Sequence, residues 1–384
     1  MQQKPICRSS LRSLANLENH HRRCDSTSKV YLFRMCRRYS VGRPTVSQIP
    51  LLQIGKKEPP KPETDHYCSG QHFISRVFGY RGVVLFPWRA ELHDYTPAKL
   101  TKTAKNTIDP TKPAVRAVTY YQTLIEPADL TRINLISDRI VVIDRLTNGG
   151  GGPSFKPLKG LDDAPHDEIV PYSAVRVHDL PPHHDGSSPH AQHYRAHPQQ
   201  QYTGPYHYHE QFLERLFTRQ DISRSDSDTD AAVQTLVPNA SMEAWAKRQL
   251  DLLKYSKISR LTTADVRITI VPSFGGKVEN RGRDEYWWRY TIRIENLSES
   301  TSLTLRSRKV NIYCEQSQAT VNDYGRGLCD QEPLLTAACP AFQATSHVQL
   351  NGTHGHGWGA LAFERDNGSQ LSVDLPAFEL CCES

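Results

Sequence analysis

The stretch from Tyr286 to Asn296 constrains this chain most. Tyr286, Trp288, Tyr290, Ile292 and Ile294 fall on one face of a strand, while Arg289, Thr291, Arg293 and Glu295 fall on the other. Alternation with a period of two, closed by a turn-prone asparagine, predicts a half-buried strand of an antiparallel sandwich with a solvated polar face. Neighbouring segments agree. Val266–Ile270 alternates and is expected to stop at Pro272, and Leu303–Leu305, Val310–Tyr313 and Phe342–Leu350 read as further short strands. Asn367-Gly368 between Trp358–Phe363 and Leu371–Leu375 is a type I′ hairpin signal. About seven strands with such turns make a sandwich.

The first half is also β-rich. Gly79 and Gly82 bracket a turn into Val83–Phe86, a buried strand expected to stop at Pro87. Tyr120–Ile125 and Ile140–Ile143 follow. Ile169–Tyr172 carries Pro171 and so belongs at an edge. Short strands with polar turns suggest a small β-barrel. Phe212, Leu213, Leu216 and Phe217 form one helical stripe, and Ser241 is expected to cap a second helix through Trp245 to about Leu253. Both helices are expected to pack between the two domains.

Two motif sets carry a family resemblance. Phe78-Gly79-Tyr80-Arg81-Gly82 through Trp88 resembles the opening of a YccV (HspQ-like) domain. Trp288, Gly325 and Gly327, Pro340 to Phe342, Gly357-Trp358-Gly359 and Leu375 to Phe378 resemble, in order, the ApaG domain, a fibronectin-III-like sandwich. YccV before ApaG, behind a basic leader, resembles the polymerase delta-interacting protein 2 family. The resemblance implies a mainly β protein: an SH3-like barrel, then the sandwich, joined by short helices. The expected divisions are a transit peptide (1–39), a linker (40–65), the YccV-like domain (66–220) with a His/Pro-rich insertion at 178–209, a linker and helix (221–260), and the ApaG-like domain (261–384). Most motif residues are expected to be structural.

Charge divides the chain unevenly. Residues 1–39 hold nine basic and two acidic groups, 9 − 2 = +7. The remaining 47 − 9 = 38 basic and 41 − 2 = 39 acidic residues give about −1. An Arg-rich, acid-poor N-terminus predicts import into the mitochondrial matrix, with processing at Arg37, Tyr39 and Ser40; a nuclear pool is the other expectation. The near-neutral remainder offers no electrostatic footprint for sequence-independent DNA binding. No long apolar run allows a helical membrane span. Nine cysteines without a C-x-x-C pair suit free thiols, with Cys381 and Cys382 expected to be the most exposed to oxidation.

Candidate chemistry is thin. His190, His193 and His197 have helical spacing for a metal, but Pro181, Pro182, Pro189, Pro198 and Pro205 break such a helix. His354 and His356 beside Trp358 lack a third ligand. Gly325-x-Gly327-x-x-Asp330 is a broken phosphate fingerprint, with an acid where the family resemblance implies a third glycine, so the glycines are expected to form a tight loop. Gln71, Ile74, Val77 and Phe78 approximate a sliding-clamp box that runs into a strand. No catalytic residue, cofactor or metal is expected. The sequence predicts a non-enzymatic adaptor. The resemblance implies partners among DNA polymerase subunits, the sliding clamp or the mitochondrial Clp protease machinery, and ties bacterial YccV-like domains to hemimethylated DNA. A DNA-binding accessory factor of replication, repair or the mitochondrial nucleoid is the alternative.

Overall fold

A computed structural model describes residues 29–32, 52–97, 113–130, 133, 135–136, 138–142, 155–174, 207–222, 233–280 and 282–382. The processing site, the histidines at 190, 193 and 197, and the Pro-rich run around them lie outside the described residues. The first half contains β1 (Lys29–Leu32), β2 (Leu52–Lys57), β3 (His72–Ser75), β4 (Arg81–Asp94), β5 (Ala114–Ile125), β6 (Leu135–Ile136), β7 (Asp138–Val142), β8 (Phe155–Lys159), β9 (Leu161–Pro165) and β10 (Ile169–Ala174). Helix α1 (His207–Leu216), β11 (Phe217–Ile222), β12 (Val233–Pro238) and helix α2 (Ala240–Leu253) follow. The second half contains β13 (Lys257–Thr263), β14 (Val266–Asn280), β15 (Arg283–Asn296), β16 (Leu303–Cys314), β17 (Ala319–Arg326), β18 (Leu334–Leu335), β19 (Ala341–Leu350), β20 (His354–Arg365) and β21 (Gln370–Cys381).

The protein is mainly β. In the first half the ladder β2–β10–β3–β4–β5–β9 curls around Phe73, Tyr80, Val84, Tyr121 and Ile125. Its end strand β9 leads into β10 through a single 3-10 turn, His166–Glu168, and among the described residues β9 pairs with β5 alone. In the second half β13–β14–β15–β19 faces β17–β16–β20–β21. The core between these sheets holds Trp288, Tyr290, Ile292, Ile294, Phe342, Phe363 and Phe378. Parallel pairing of β4 with β13 joins the halves into one continuous sheet, and β6 adds in parallel to β19. Phe212 and Leu216 of α1 and Trp245 and Leu253 of α2 pack with Trp88, Leu92 and Val271 between the two halves.

Prolines give the clearest corrections. β4 runs through Pro87 and β14 through Pro272. At Pro87 the strand is paired with β5 alone, since β3 reaches only Val83 and β13 begins at Glu91. At Pro272 the partner is β15 alone, because β13 ends at Ile270. A missing N–H on an unpaired side costs no ladder bond. β10 is an interior strand, between β2 and β3. Pro171 contributes the group it retains, its carbonyl, which accepts from the Glu58 N–H at 2.9 Å.

Other expectations shift in register or kind. Leu52–Lys57 lies in the expected linker yet forms β2, and β1 within the leader pairs with it. Asn239, rather than Ser241, caps α2: its Oδ1 accepts from the Ser241 and Met242 N–H groups at 2.9 and 3.3 Å. The β20–β21 hairpin forms, but only Gly368 is left-handed (φ 81°), so the turn is a type I turn with a glycine bulge. His207 and His209 belong to α1 rather than to the insertion. Cys382 is buried in the sandwich core, where its N–H bonds the Thr353 carbonyl, while Cys68 and Cys339 are exposed.

Candidate interaction surface

From Tyr290 to Asn296 both faces of β15 are largely buried, which corrects the expectation of a solvated polar face there, while Trp287 nearer the strand's start is exposed. Trp288, Tyr290, Ile292 and Ile294 enter the core, and Trp288 packs 5.1 Å from the Phe274 ring. On the opposite face Arg293 meets the first half of the protein. Its Nη1 lies 2.5 Å from Glu168 Oε2, its Nε donates to Glu295 Oε1 at 2.7 Å, and its guanidinium lies 4.9 Å over the Phe78 ring. The Ser75 hydroxyl donates to the same Glu168. Burial alone would depress the Arg293 pKa, but Glu168 and Glu295 raise it well above the ordinary guanidinium range. Burial also works against Glu295, whose carboxyl Arg293 and Arg267 nevertheless pull below its usual value. Nearby, Asp162 accepts from Tyr80 Oη at 2.8 Å and from Gln343 Nε2 at 2.6 Å, a second polar link between the halves.

With that face covered, the sandwich meets solvent on its other side. β16 sends Val310, Ile312 and Cys314 inward and Lys309, Asn311 and Tyr313 outward. Strand alternation places Tyr324 of β17 and His356 and Trp358 of β20 on the same outer face. Trp358 is 41% exposed and Tyr324 56%. Tyr324 Oη donates to Asn311 Oδ1 at 2.6 Å, and the His356 ring lies 5.3 Å from Tyr313 and 5.5 Å from Trp358. Together these rings form an aromatic patch beside β17, the last strand of its sheet.

Beneath β17 a cleft of about 220 Å³ opens between the two sheets. Val310, Ile312 and Val321 line one wall, Tyr290, Ser346, His347 and Val348 the other, with Asp323 on the β17 side. Burial raises the Tyr290 phenol to about 12, so it stays neutral. Arg308 grips Asp323 through two bonds, Nε–Oδ2 at 2.9 Å and Nη2–Oδ1 at 2.8 Å. The strand that carries this wall was missed in the sequence, where Tyr324–Gly327 reads as a loop. Its apolar residues, Val321 and Tyr324, fall on opposite faces and give no periodic signal.

The motif residues separate into structural and surface groups. Gly79 turns the chain at φ 72° and Arg81 forms a bidentate pair with Asp129 at 2.8 and 2.9 Å. A Cβ on Gly82 would lie 2.9 Å from the Phe73 ring, so close strand approach requires glycine there. Trp88 is buried against the helices. Gly325 lies inside β17 beside the Arg308 guanidinium, and Gly327 turns the chain at φ 54°. The following loop closes on itself through paired bonds between Leu328 and Gln331, with left-handed Cys329 and Asp330. Of the named motif residues, Trp358 alone presents a large exposed ring. The residues resembling a clamp box sit in or beside β3, where Gln71 Nε2 donates to the His72 and Tyr172 carbonyls. His354 Nδ1 lies 2.7 Å from Thr353 Oγ1, and no cluster of three or more metal-ligating groups occurs among the described residues.

The ApaG domain model matches residues 277–365, which contain the cleft, β17 and Trp358. The chain is 32% identical over 333 residues to polymerase delta-interacting protein 2 of Mus musculus, covering 86% of this chain and 79% of the relative. The Homo sapiens protein of that name gives the same identity and coverage. The chain belongs to the polymerase delta-interacting protein 2 family. Protein ApaG of Xanthobacter autotrophicus is 28% identical over 121 residues, 32% of this chain and 91% of that protein. Family membership assigns the chain to proteins built from interaction domains, and its matched domain carries the open cleft and the aromatic patch.

Proposed function

We propose that this chain is a non-enzymatic adaptor that binds protein partners through the open side of its ApaG sandwich. The carrying observation is the juxtaposition of Trp358, Tyr324 and Tyr313 with β17, whose outer edge pairs with no strand among the described residues, over a cleft with aliphatic walls. Exposed aromatic rings around a groove have the composition of protein interfaces. The name of the relatives supports a DNA polymerase subunit as partner, the family resemblance supports the sliding clamp or Clp protease components as further ones, and the resemblance of Phe78–Trp88 to a YccV domain adds to the case for the protease. The +7 leader and the Arg37-Tyr39-Ser40 site support work in the mitochondrial matrix after processing, with a nuclear pool as the second compartment.

A DNA-binding accessory role is the competing reading. The cations beside the patch weigh against it. Arg308 is held by Asp323, Arg306 by Glu332 and Glu364, and Arg326 by Glu332. Affinity purification from intact mitochondria and nuclei, run separately with wild type and Trp358→Ala, tests the adaptor reading. A partner identified in one compartment, repurified and titrated, should bind the variant at least tenfold more weakly. Retention of nucleic acid in place of any protein would overturn the reading.

A further inference from the structure

We infer that the partner segment is an extended peptide that adds as a strand to the free edge of β17 and sets an aliphatic side chain into the cleft beneath it; this rests on the adaptor reading and specifies its mode. β17 pairs with β16 from Ala319 to Arg326 without a register shift, and among the described residues no strand lies on its other side. It contains neither proline nor bulge, the devices that ordinarily blunt such an edge. Its inward positions, Ala319, Val321 and Asp323, stand opposite Cys314, Ile312 and Val310. An added strand keeps that parity, so every second side chain of the peptide would point toward the gap between the sheets. There the apolar walls of the cleft and the 48% exposed Val321 wait at its mouth.

The same sandwich already accepts an added strand on its other open edge. β6, from the first half of the chain, pairs in parallel with Gln343 and Ala344 of β19, and Leu135 is buried there. The edge of β17 offers a longer ladder of the same kind. A second copy of this chain fits it poorly. Antiparallel self-pairing must match inward with inward positions. The two registers of longest overlap then set Val321 against Asp323, or Asp323 against itself. Nucleic acid fits poorly as well, since Arg308 and Arg306 are engaged by carboxylates and Lys309 lies 5.5 Å over the Tyr324 ring. A foreign peptide with aliphatic residues at alternate positions meets neither obstacle.

The test pans a phage-displayed library of random eight-residue peptides on the full chain, then measures a synthetic peptide from the selection. Fluorescence titration compares wild type with Val321→Arg, whose melting midpoint should be unchanged because the site is at the surface. Hydrogen exchange locates the bound peptide. Expected are peptides with alternating aliphatic residues, binding at least tenfold weaker to the variant, and new amide protection within Ala319–Arg326. Equal binding to the variant, protection elsewhere, or no selected peptide would overturn strand addition. A concentration-dependent dimer abolished by Val321→Arg would overturn it in favour of a second copy. If the partner purified from cells binds Val321→Arg as well as wild type, strand addition fails while the adaptor reading stands. If no protein partner is retained at all, the adaptor reading fails first.

Discussion

From Tyr290 to Glu295 the two faces of β15 are both largely buried and chemically opposite. One carries Trp288, Tyr290, Ile292 and Ile294 into the sandwich core; the other carries Thr291, Arg293 and Glu295 against the first half of the protein. The first face is stabilised by removing apolar area from water, which needs only shape and volume. The second needs matched partners, because a buried charge or hydroxyl left alone costs more than its bond contributes. Alternation in the sequence therefore reports the chemistry of each face, not its exposure. Where the polar face meets a complementary wall it becomes a specific joint. Where no described residue covers a face, as around Trp358, the proposed partner would find exposed rings.

The largest expected effects contrast these faces directly. Trp288→Ala should cost about 3–5 kcal/mol in denaturant unfolding, as truncation of a buried large aromatic does. An unchanged denaturation curve would show that the strand register is wrong. Arg293→Met should cost a similar ~3–5 kcal/mol, for a different reason: it leaves the buried Glu168 without its cation and Glu295 with Arg267 alone. Adding Glu168→Gln to Arg293→Met should recover part of that loss, whereas adding it to Trp288→Ala should not. Equal behaviour of the two double variants would erase the distinction.

A smaller effect appears with pH. His209 is buried in α1 with Nε2 donating to the Ile125 carbonyl at 2.6 Å, and burial lowers its pKa from 6.5 to about 4. The unfolded chain therefore takes up a proton that the folded chain refuses. Stability is fully present above pH 6.5 and falls as the pH drops toward 4, by an amount on the order of 3 kcal/mol from this group. His209→Gln should make that fall shallower rather than abolish it, because the buried His72 is also lowered to about 4 and titrates in the same window; an unaltered profile would contradict the assignment. Smallest of all, Thr291 and Thr345 share a hydroxyl bond of 2.9 Å on the joint side. Thr291→Val alone should cost about 1–3 kcal/mol, and Thr291→Val with Thr345→Val close to nothing, because the pair of methyl groups leaves no orphan. Calorimetry of both variants decides it.

Much of the second domain was legible because its strands repeat with period two and its hairpin carries Asn367-Gly368. The two helices were legible from the Phe212–Phe217 stripe and the run from Trp245 to Leu253. What the sequence hid depends on distant partners. Nothing near Arg293 announces Glu168, so its burial could not be read locally. Pro87 and Pro272 read as strand ends because their one-sided pairing is a property of the assembled sheet. β17 escaped notice since Val321 and Tyr324 face opposite ways, and with it the wall of the cleft. Trp358 was legible as a motif residue, but its exposure follows from Gly357 and Gly359, whose Cβ atoms would collide with Phe378 and the Lys309 carbonyl. Those glycines let β20 pack closely and leave the ring between them outside.

The central claim, a protein adaptor rather than a DNA binder, is tested most directly by titrating residues 40–384 into labelled duplex DNA at two salt concentrations. That part of the chain carries about −1 charge, and the arginines beside its exposed patch are engaged by carboxylates. Few counterions would be released on binding. The account predicts a flat, unsaturable signal, weaker than the ~10⁻⁴–10⁻⁶ M usual for non-specific binders at physiological salt. Micromolar or tighter binding that falls steeply as salt rises would contradict it.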